Sequence, residues 1–200
     1  MLACQESPSE PPAAPASAER ASPAAAAPSA RVQAQGTGLE ILDAQSQLTL
    51  KIMPKAEGGY RLLDANGTKI GKISVQADRV KVKDAQDSLR AKVKKKDDGF
   101  KLYAADDSVV LKGKLSGEQR LKIKGGDGAE LAKLDGSTGK VAGLAVEARV
   151  IEGGVSILKA NAPIATLRGN IRVEPALLWA LETLDPYQRA ALLIFVKEVW

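Results

Sequence analysis

The residues best placed to do chemistry form a basic cluster in the stretch RAKVKKKDDGFK, which begins at position 90. Alternate residues of a strand share one face, so the first basic side chains of the stretch would line up together. The cluster consists of Arg90, Lys92, Lys94, Lys95 and Lys96. Neighbouring strands could add Lys81, Lys83 and Lys101. Such a patch suits an anionic lipid headgroup, at about 1 kcal/mol for each basic residue near a charged membrane. The alternative is a solvated lysine face that keeps strands from aggregating.

Catalytic chemistry has little support in the composition. The sequence has no His and one Cys. A Ser-His-Asp or Cys-His arrangement therefore cannot form, and neither can a disulfide within the chain or a cysteine-clustered zinc site. The acid pairs Asp97-Asp98 and Asp106-Asp107 could act as catalytic carboxylates, but both fall at predicted turns, where solvated acids are common. We therefore predict a protein that is not an enzyme and has no cofactor and no metal site.

The charge is concentrated in the middle of the chain. Net charge is +5, and residues 51–135 contain 20 Lys and Arg against 13 Asp and Glu. This excess favours an acidic partner such as a lipid headgroup or a nucleic acid. Single-stranded nucleic acids also need aromatic side chains on which bases stack, and the repeated strands offer Tyr60, Phe100 and Tyr103. No nucleic-acid partner is expected.

The elements that would position the cluster are hairpins that recur roughly every 20 residues. Apolar and polar residues alternate from Leu39 onward, which is the pattern of a half-buried strand. Turn signals such as Asp64-Ala65-Asn66-Gly67 separate the segments. We predict about twelve strands, near 39–42, 47–53, 59–63, 68–75, 79–84, 88–95, 99–104, 108–115, 119–124, 129–134, 141–150 and 154–173. The last segment could be two strands split at Asn161-Ala162-Pro163.

The C-terminal segment indicates how such a sheet would close. A twelve-stranded antiparallel meander disposes of its edges by closing, and the resulting barrel is too wide for strand side chains to fill. Residues 190–196, AALLIFV, are apolar on every face of a helix. Charged residues interrupt the flanks, which disfavours a membrane span. We therefore predict a mainly β protein, a closed antiparallel barrel around or against a hydrophobic C-terminal helix.

Strands built on GYRLLDANGTKIGKI (59–73) and GFKLYAADDSVVLKGKL (99–115), followed by an apolar C-terminal helix, resemble the tubby C-terminal and LURP-one-related family, which includes the phospholipid scramblases. The resemblance covers about residues 39–200 and implies a twelve-stranded barrel around a central hydrophobic helix. Tubby domains bind phosphoinositides through basic residues. This chain departs from the family because Asp185-Pro186 splits the helical region into Pro175–Leu184 and Pro186–Val199, of which we expect the second to occupy the barrel.

The N-terminal residues predict a membrane anchor. Leu2-Ala3-Cys4 resembles the lipobox of bacterial lipoproteins, in which the cysteine carries the lipid and the rest of the signal peptide lies upstream. Residues 5–37 hold six of the ten prolines and almost no large apolar side chain, which is typical of a disordered linker. The predicted layout is therefore an anchor at 1–4, a linker at 5–37 and a barrel domain at 38–200. The alternative is a cytoplasmic protein with a disordered tail.

Together these patterns predict a non-enzymatic lipoprotein of the bacterial cell envelope. If the cell is Gram-negative, Gln5 after the cysteine, rather than Asp, favours the outer membrane, on its periplasmic or surface side. The barrel would bind anionic lipid or a protein partner at the membrane surface. The alternative function is a carrier or chaperone-like barrel for a small apolar ligand, which requires an empty interior.

Overall fold

The computed structural model describes residues 38–116 and 120–199. Within those ranges the chain forms fourteen strands and two α-helices. The strands are β1 (Leu39–Asp43), β2 (Leu48–Pro54), β3 (Tyr60–Asp64), β4 (Lys69–Gln76), β5 (Arg79–Asp84), β6 (Leu89–Lys96), β7 (Gly99–Tyr103), β8 (Val109–Ser116), β9 (Arg120–Gly125), β10 (Glu130–Asp135), β11 (Thr138–Val141), β12 (Leu144–Ile151), β13 (Gly154–Lys159) and β14 (Ala162–Arg168). The helices are α1 (Val173–Ala176) and α2 (Pro186–Glu198), with a 3₁₀ turn at Leu177–Ala180 between them.

The strands make one closed antiparallel barrel. Each strand pairs with the next in sequence, and β1 pairs with β14 to close the sheet, with Ile41 opposite Leu167. Inward-facing side chains are mostly aliphatic and outward-facing ones are mostly polar or charged, so the alternation in the sequence follows the pleat. The predicted mainly β barrel with a C-terminal helix is confirmed.

One turn design recurs at a single end of the barrel and explains the repeating sequence. After β1, β3 and β5, the final Asp accepts hydrogen bonds through Oδ1 from the backbone N–H groups two and four residues later. The residue three positions after that Asp has a positive φ, which is 79° at Gly67. A register shift follows in each hairpin, as in a three-residue turn with a bulge. The repeated hairpin therefore preserves the turn and the bulge together.

The expected number of strands was wrong by two. The predicted strand 141–150 is two strands, β11 and β12, joined at Ala142-Gly143, and the segment 154–173 contains β13 and β14 joined at Ala160-Asn161. All four turn residues have positive φ, between 49° and 79°. Alanine rarely adopts that conformation, so Ala142 and Ala160 obscured both turns, although Asn161 belongs to the alternative split predicted within 154–173.

The C-terminal helix α2 fills the middle of the barrel. Asp185 caps its N-terminus in a capping box with Gln188, and Pro186 occupies the first turn, where the second predicted helical piece begins. Residues 190–195 are buried on every side, and α2 packs against β4, β5 and β6. The expectation that only α2 lies inside needs correction, because the 3₁₀ turn is buried as well, against β12 and β13. The barrel is wide enough to need both pieces.

The described part of the chain contains no helix with the length and apolar character that crossing a membrane would require.

Candidate functional site

A row of five basic residues crosses the outer wall of the barrel from β5 to β9. Strand pairing places Arg79 opposite Lys94, Lys94 opposite Lys101, Lys101 opposite Lys112 and Lys112 opposite Lys124. We call these five residues the basic row. Neighbouring strands lie about 4.8 Å apart, so the row extends over about 19 Å. Five cations thus stand in direct cross-strand register.

Among the described residues, four members of the basic row have no acidic partner. Arg79 bonds Asp78 at 2.9 Å, which leaves the four lysines. Within residues 38–116 and 120–199, no carboxylate lies within ion-pair distance of Lys94, Lys101, Lys112 or Lys124. Like charges directly opposite one another destabilise a sheet. Folding stability alone therefore does not account for the row.

The adjacent lysines show what the basic row lacks. Lys114 bonds Asp98 at 2.6 Å, and Glu130 bonds both Lys122 at 2.9 Å and Lys133 at 3.1 Å. We call Lys114, Lys122 and Lys133 the paired lysines. They also lie in cross-strand register, on β8, β9 and β10. The two sets share an outer wall but differ in neutralisation, so they provide a matched comparison.

The predicted cluster of five basic residues is divided by the fold. Lys94 belongs to the basic row, and its Nζ lies 5.8 Å from the centroid of the Tyr103 ring. Lys92 shares the outer face of β6 but forms an ion pair with Asp107, and its side chain is only 12% exposed. Lys92 is therefore committed to a structural contact.

Arg90 is turned toward the C-terminal helix. Its guanidinium carbon lies 5.1 Å from the centroid of the Tyr187 ring in α2, and its Nη1 lies 3.7 Å from Asp84. The hydroxyl of Tyr187 donates in turn to the carbonyl of Ile70. Arg90 therefore helps to hold the start of α2 at the mouth of the barrel.

The other predicted site residues are not members of the basic row. Lys95 and Lys96 are exposed at the end of β6, where Lys95 stands opposite the buried Phe100 and Lys96 opposite Gly99. Lys95 is on the inward-facing side of the strand at the rim, so its side chain does not join the outer wall. Cys4 lies outside the described residues.

Sequence reasoning missed Lys112 and Lys124 as members of a site. Each alternates with apolar residues, in VVLKGKL and RLKIKGG, and this signal was visible. What the sequence did not show was their alignment, because the bulges after the turns set the register between strands.

Basic residues of the outer wall also lower the pKa values of two nearby acids. The hydrogen bond from Lys92, followed by the charges of Lys92 and Lys94, lowers the pKa of Asp107. The hydrogen bond from Arg79 lowers the pKa of Asp78, and the charge of Lys94 adds to that effect. The positive field of Lys94 therefore acts on acids beyond its own contacts.

The described ranges offer neither a metal centre nor an open interior. No group of three or more acidic, cysteine or histidine side chains is positioned for a metal ion among them. The inside of the barrel holds one continuous apolar core that includes α2 and the 3₁₀ turn. What the outer wall offers chemically is a linear array of cations for an anionic surface.

Comparisons with known proteins place the chain only weakly. No protein-family profile matches it, and no curated protein matches it. It is similar to a crystal structure of a protein from Arabidopsis thaliana. The identity is 12%, over 80% of this chain and 93% of the other. The TM-score is 0.27, and membership of the tubby C-terminal and LURP-one-related family stays a prediction.

Proposed function

We propose that this protein is a non-enzymatic, membrane-associated barrel that binds anionic lipid headgroups through the basic row. The observation that carries the proposal is the cross-strand register of Lys94, Lys101, Lys112 and Lys124 without acidic partners in the described chain. Each lysine near an anionic membrane contributes about 1 kcal/mol to binding. Four of them together contribute about 4 kcal/mol, equivalent to a Kd of about 1 mM, which is useful once the protein is also held near the surface by its anchor.

The shape of the row fits a surface better than a single small anion. The cations stretch over about 19 Å of the barrel wall, so several headgroups can be contacted together. The lysines are partly or fully exposed, which leaves their charges hydrated and screened by salt. Binding of this kind is electrostatic, and it weakens as ionic strength rises.

Cys4 is the proposed lipid attachment site, and residues 5–37 are the proposed tether. A single acyl chain gives marginal anchoring, and a basic patch is a common second signal. Bacterial lipoproteins usually carry more than one chain, which would make the row a means of orienting the barrel at the envelope membrane. Labelling native cells with a radioactive fatty acid, beside cells that carry Cys4→Ser, tests the attachment. Label that persists in the Cys4→Ser cells would refute it.

The carrier alternative finds less support in the interior. A carrier barrel needs a space for its apolar ligand, whereas residues 190–195 of α2 are fully buried at the centre. Ligand uptake would therefore require α2 to leave the barrel. A protein partner on the same wall stays a second proposal, because an acidic protein surface would meet the same cations.

Co-sedimentation with lipid vesicles tests the proposed function. The full chain with Cys4→Ser should pellet with vesicles that contain an anionic lipid at low salt, and should be released at high salt. It should not pellet with neutral vesicles. Absence of binding to either kind would refute the lipid-binding proposal and favour a protein partner.

A further inference from the structure

A surface groove runs along β3, next to the strands that carry the basic row. It has a volume of about 670 Å³ and is lined by residues of β2, β3, β4 and the turns that follow β2 and β3. The lining residues are Met53, Pro54, Lys55, Arg61, Leu63, Gly67, Lys69 and Lys72. Lys55 follows β2 at one end of the barrel and Gly67 follows β3 at the other. The groove therefore extends for about the length of β3, roughly 17 Å.

Two large apolar side chains line the groove. Met53 is 37% exposed although it is a large apolar side chain. Leu63 is half-buried on the same outer face, between Lys51 and Lys69 in the register. The aliphatic stems of Arg61 and Lys72, which pair across β3 and β4, extend this apolar surface.

The lining of the groove is also cationic. Four of the lining residues carry a positive charge and none carries a negative one. Lys72 bonds Asp87 at 2.6 Å, and Lys55 lies 3.9 Å from Glu57. In the part of the chain that the structure covers, Arg61 and Lys69 have no acidic partner. An apolar strip with two free cations beside it is complementary to a molecule with one apolar chain and an anionic head.

We propose that this groove binds a single-chain anionic amphiphile, with its chain along Met53 and Leu63 and its carboxylate or phosphate head at Arg61 and Lys69. The guanidinium of Arg61 can meet two oxygens of such a head at once. The groove shares no residue with the basic row, so this ligand site is distinct from the proposed membrane-binding wall.

Isothermal titration of the full chain carrying Cys4→Ser tests the proposal, with dodecyl phosphate below its micelle concentration as the probe. Saturable binding of one molecule per chain is expected. Inorganic phosphate tests whether the head alone suffices, and dodecyl maltoside tests whether the chain alone suffices. Both should bind at least about tenfold more weakly, because each lacks one half of the complementarity. Equal binding of either control compound would overturn the assignment of an amphiphile.

Two double variants with equal loss of charge locate the site. Arg61→Gln with Lys69→Gln should weaken dodecyl phosphate binding by about twentyfold, at roughly fivefold per cation. Lys112→Gln with Lys124→Gln removes the same charge from the basic row and should leave that affinity within about twofold. All four positions are exposed or half-exposed, and circular dichroism confirms the fold of each variant.

The outcomes separate this proposal from the proposed function. If the groove variant keeps salt-sensitive vesicle binding while the row variant loses it, the two sites are independent. Equal loss of dodecyl phosphate binding in both variants would show attraction to overall charge and overturn the groove site. Absence of saturable binding by the unsubstituted protein would also overturn it, without affecting the vesicle result.

Discussion

The hydroxyl of Tyr60 donates a hydrogen bond of 2.5 Å to Oε1 of Glu198, joining β3 to the last turn of α2. Lys197 completes the contact, since its Nζ is 3.4 Å from the Tyr60 hydroxyl and bonds Glu198 as well. Arg90 and Tyr187 make a comparable contact at the opposite end of the helix. The central helix is therefore fastened at both mouths of the barrel by polar contacts that flank its apolar middle.

Removing the hydroxyl should loosen this fastening. Tyr60→Phe keeps the ring and deletes the hydrogen bond to a charged acceptor, so the free energy of unfolding should fall by about 1 to 2 kcal/mol. Tyr103→Phe, on the outer wall, is the control and should change stability by less than about 0.5 kcal/mol. Urea denaturation measures both. Equal stability of Tyr60→Phe and the unsubstituted protein would show that the contact contributes nothing.

The same contact predicts a dependence on pH. Burial, then the hydrogen bond to Glu198 and its negative charge, raises the pKa of Tyr60. The folded protein therefore holds this proton more tightly than the unfolded chain, whose phenol titrates near pH 10. The stability that Tyr60 adds is fully present below about pH 10 and is lost as the pH rises further. The difference in unfolding free energy between the unsubstituted protein and Tyr60→Phe should shrink above that pH, and a constant difference would contradict the account.

Glu198 contributes at the acidic end. Burial raises its pKa, but the hydrogen bonds from Lys197 and Tyr60 outweigh burial and leave the pKa below its usual value. Its stabilising contribution is therefore present above the usual glutamate pKa, about 4.3, and is lost as the pH falls below that value. Glu198→Gln should show a smaller acid-induced loss of stability than the unsubstituted protein. If Glu198→Gln loses as much stability at low pH as the unsubstituted protein, other carboxylates are responsible for that loss.

The core role of α2 predicts a large effect from a single truncation. Phe195 is fully buried, and its ring centroid lies 5.5 Å from that of Phe100 on β7. Phe195→Ala should cost about 3 to 5 kcal/mol in unfolding free energy, because the barrel cannot collapse into the space. Val196→Ala, at a half-buried position, should cost much less.

Deleting residues 186–200 should abolish folding, whereas a stable truncated barrel that binds apolar dyes would support the carrier alternative.

Gly113 makes room for the Phe100 ring. The two residues are opposite each other on β7 and β8, and a Cβ on Gly113 would lie 2.3 Å from Cζ of Phe100. Gly113→Ala should therefore destabilise the barrel by about 1 to 3 kcal/mol through overpacking. Phe100→Leu should relieve part of that cost when the two changes are combined. If the loss of stability in the double variant equals the sum of the losses in the two single variants, the Phe100 ring does not need the space beside Gly113.

Most of the fold could be predicted because turn-forming residues mark the ends of its strands in the sequence. Asp64, Asn66 and Gly67 show how side-chain capping and a positive φ mark a hairpin, and strands β1 to β10 begin and end within two residues of their predicted bounds. The same reasoning does not find turn positions at Ala142 and Ala160, because alanine is not a residue that marks a positive φ in the sequence. The predicted start of the second helical piece at Pro186 is also where α2 begins.

The candidate site was less predictable than the fold. Alternation along β6 correctly put Lys94 on an outer face, but it could not show that Arg90 reaches Tyr187 or that Lys92 pairs with Asp107. Those contacts depend on tertiary position. The alignment of Lys101, Lys112 and Lys124 depends on register across three strands, where a bulge of one residue changes every partner.

We propose that the alignment of the lysines in the basic row, rather than the net charge of the protein, is responsible for binding to anionic lipid. Two triple variants with equal loss of charge test it in vesicle co-sedimentation at low salt. One replaces Lys101, Lys112 and Lys124 with Gln, and the other replaces the paired lysines Lys114, Lys122 and Lys133. We predict that the first lowers affinity for anionic vesicles by roughly a hundredfold and the second by less than tenfold. Equal losses in the two variants, or no loss in the first, would contradict the account.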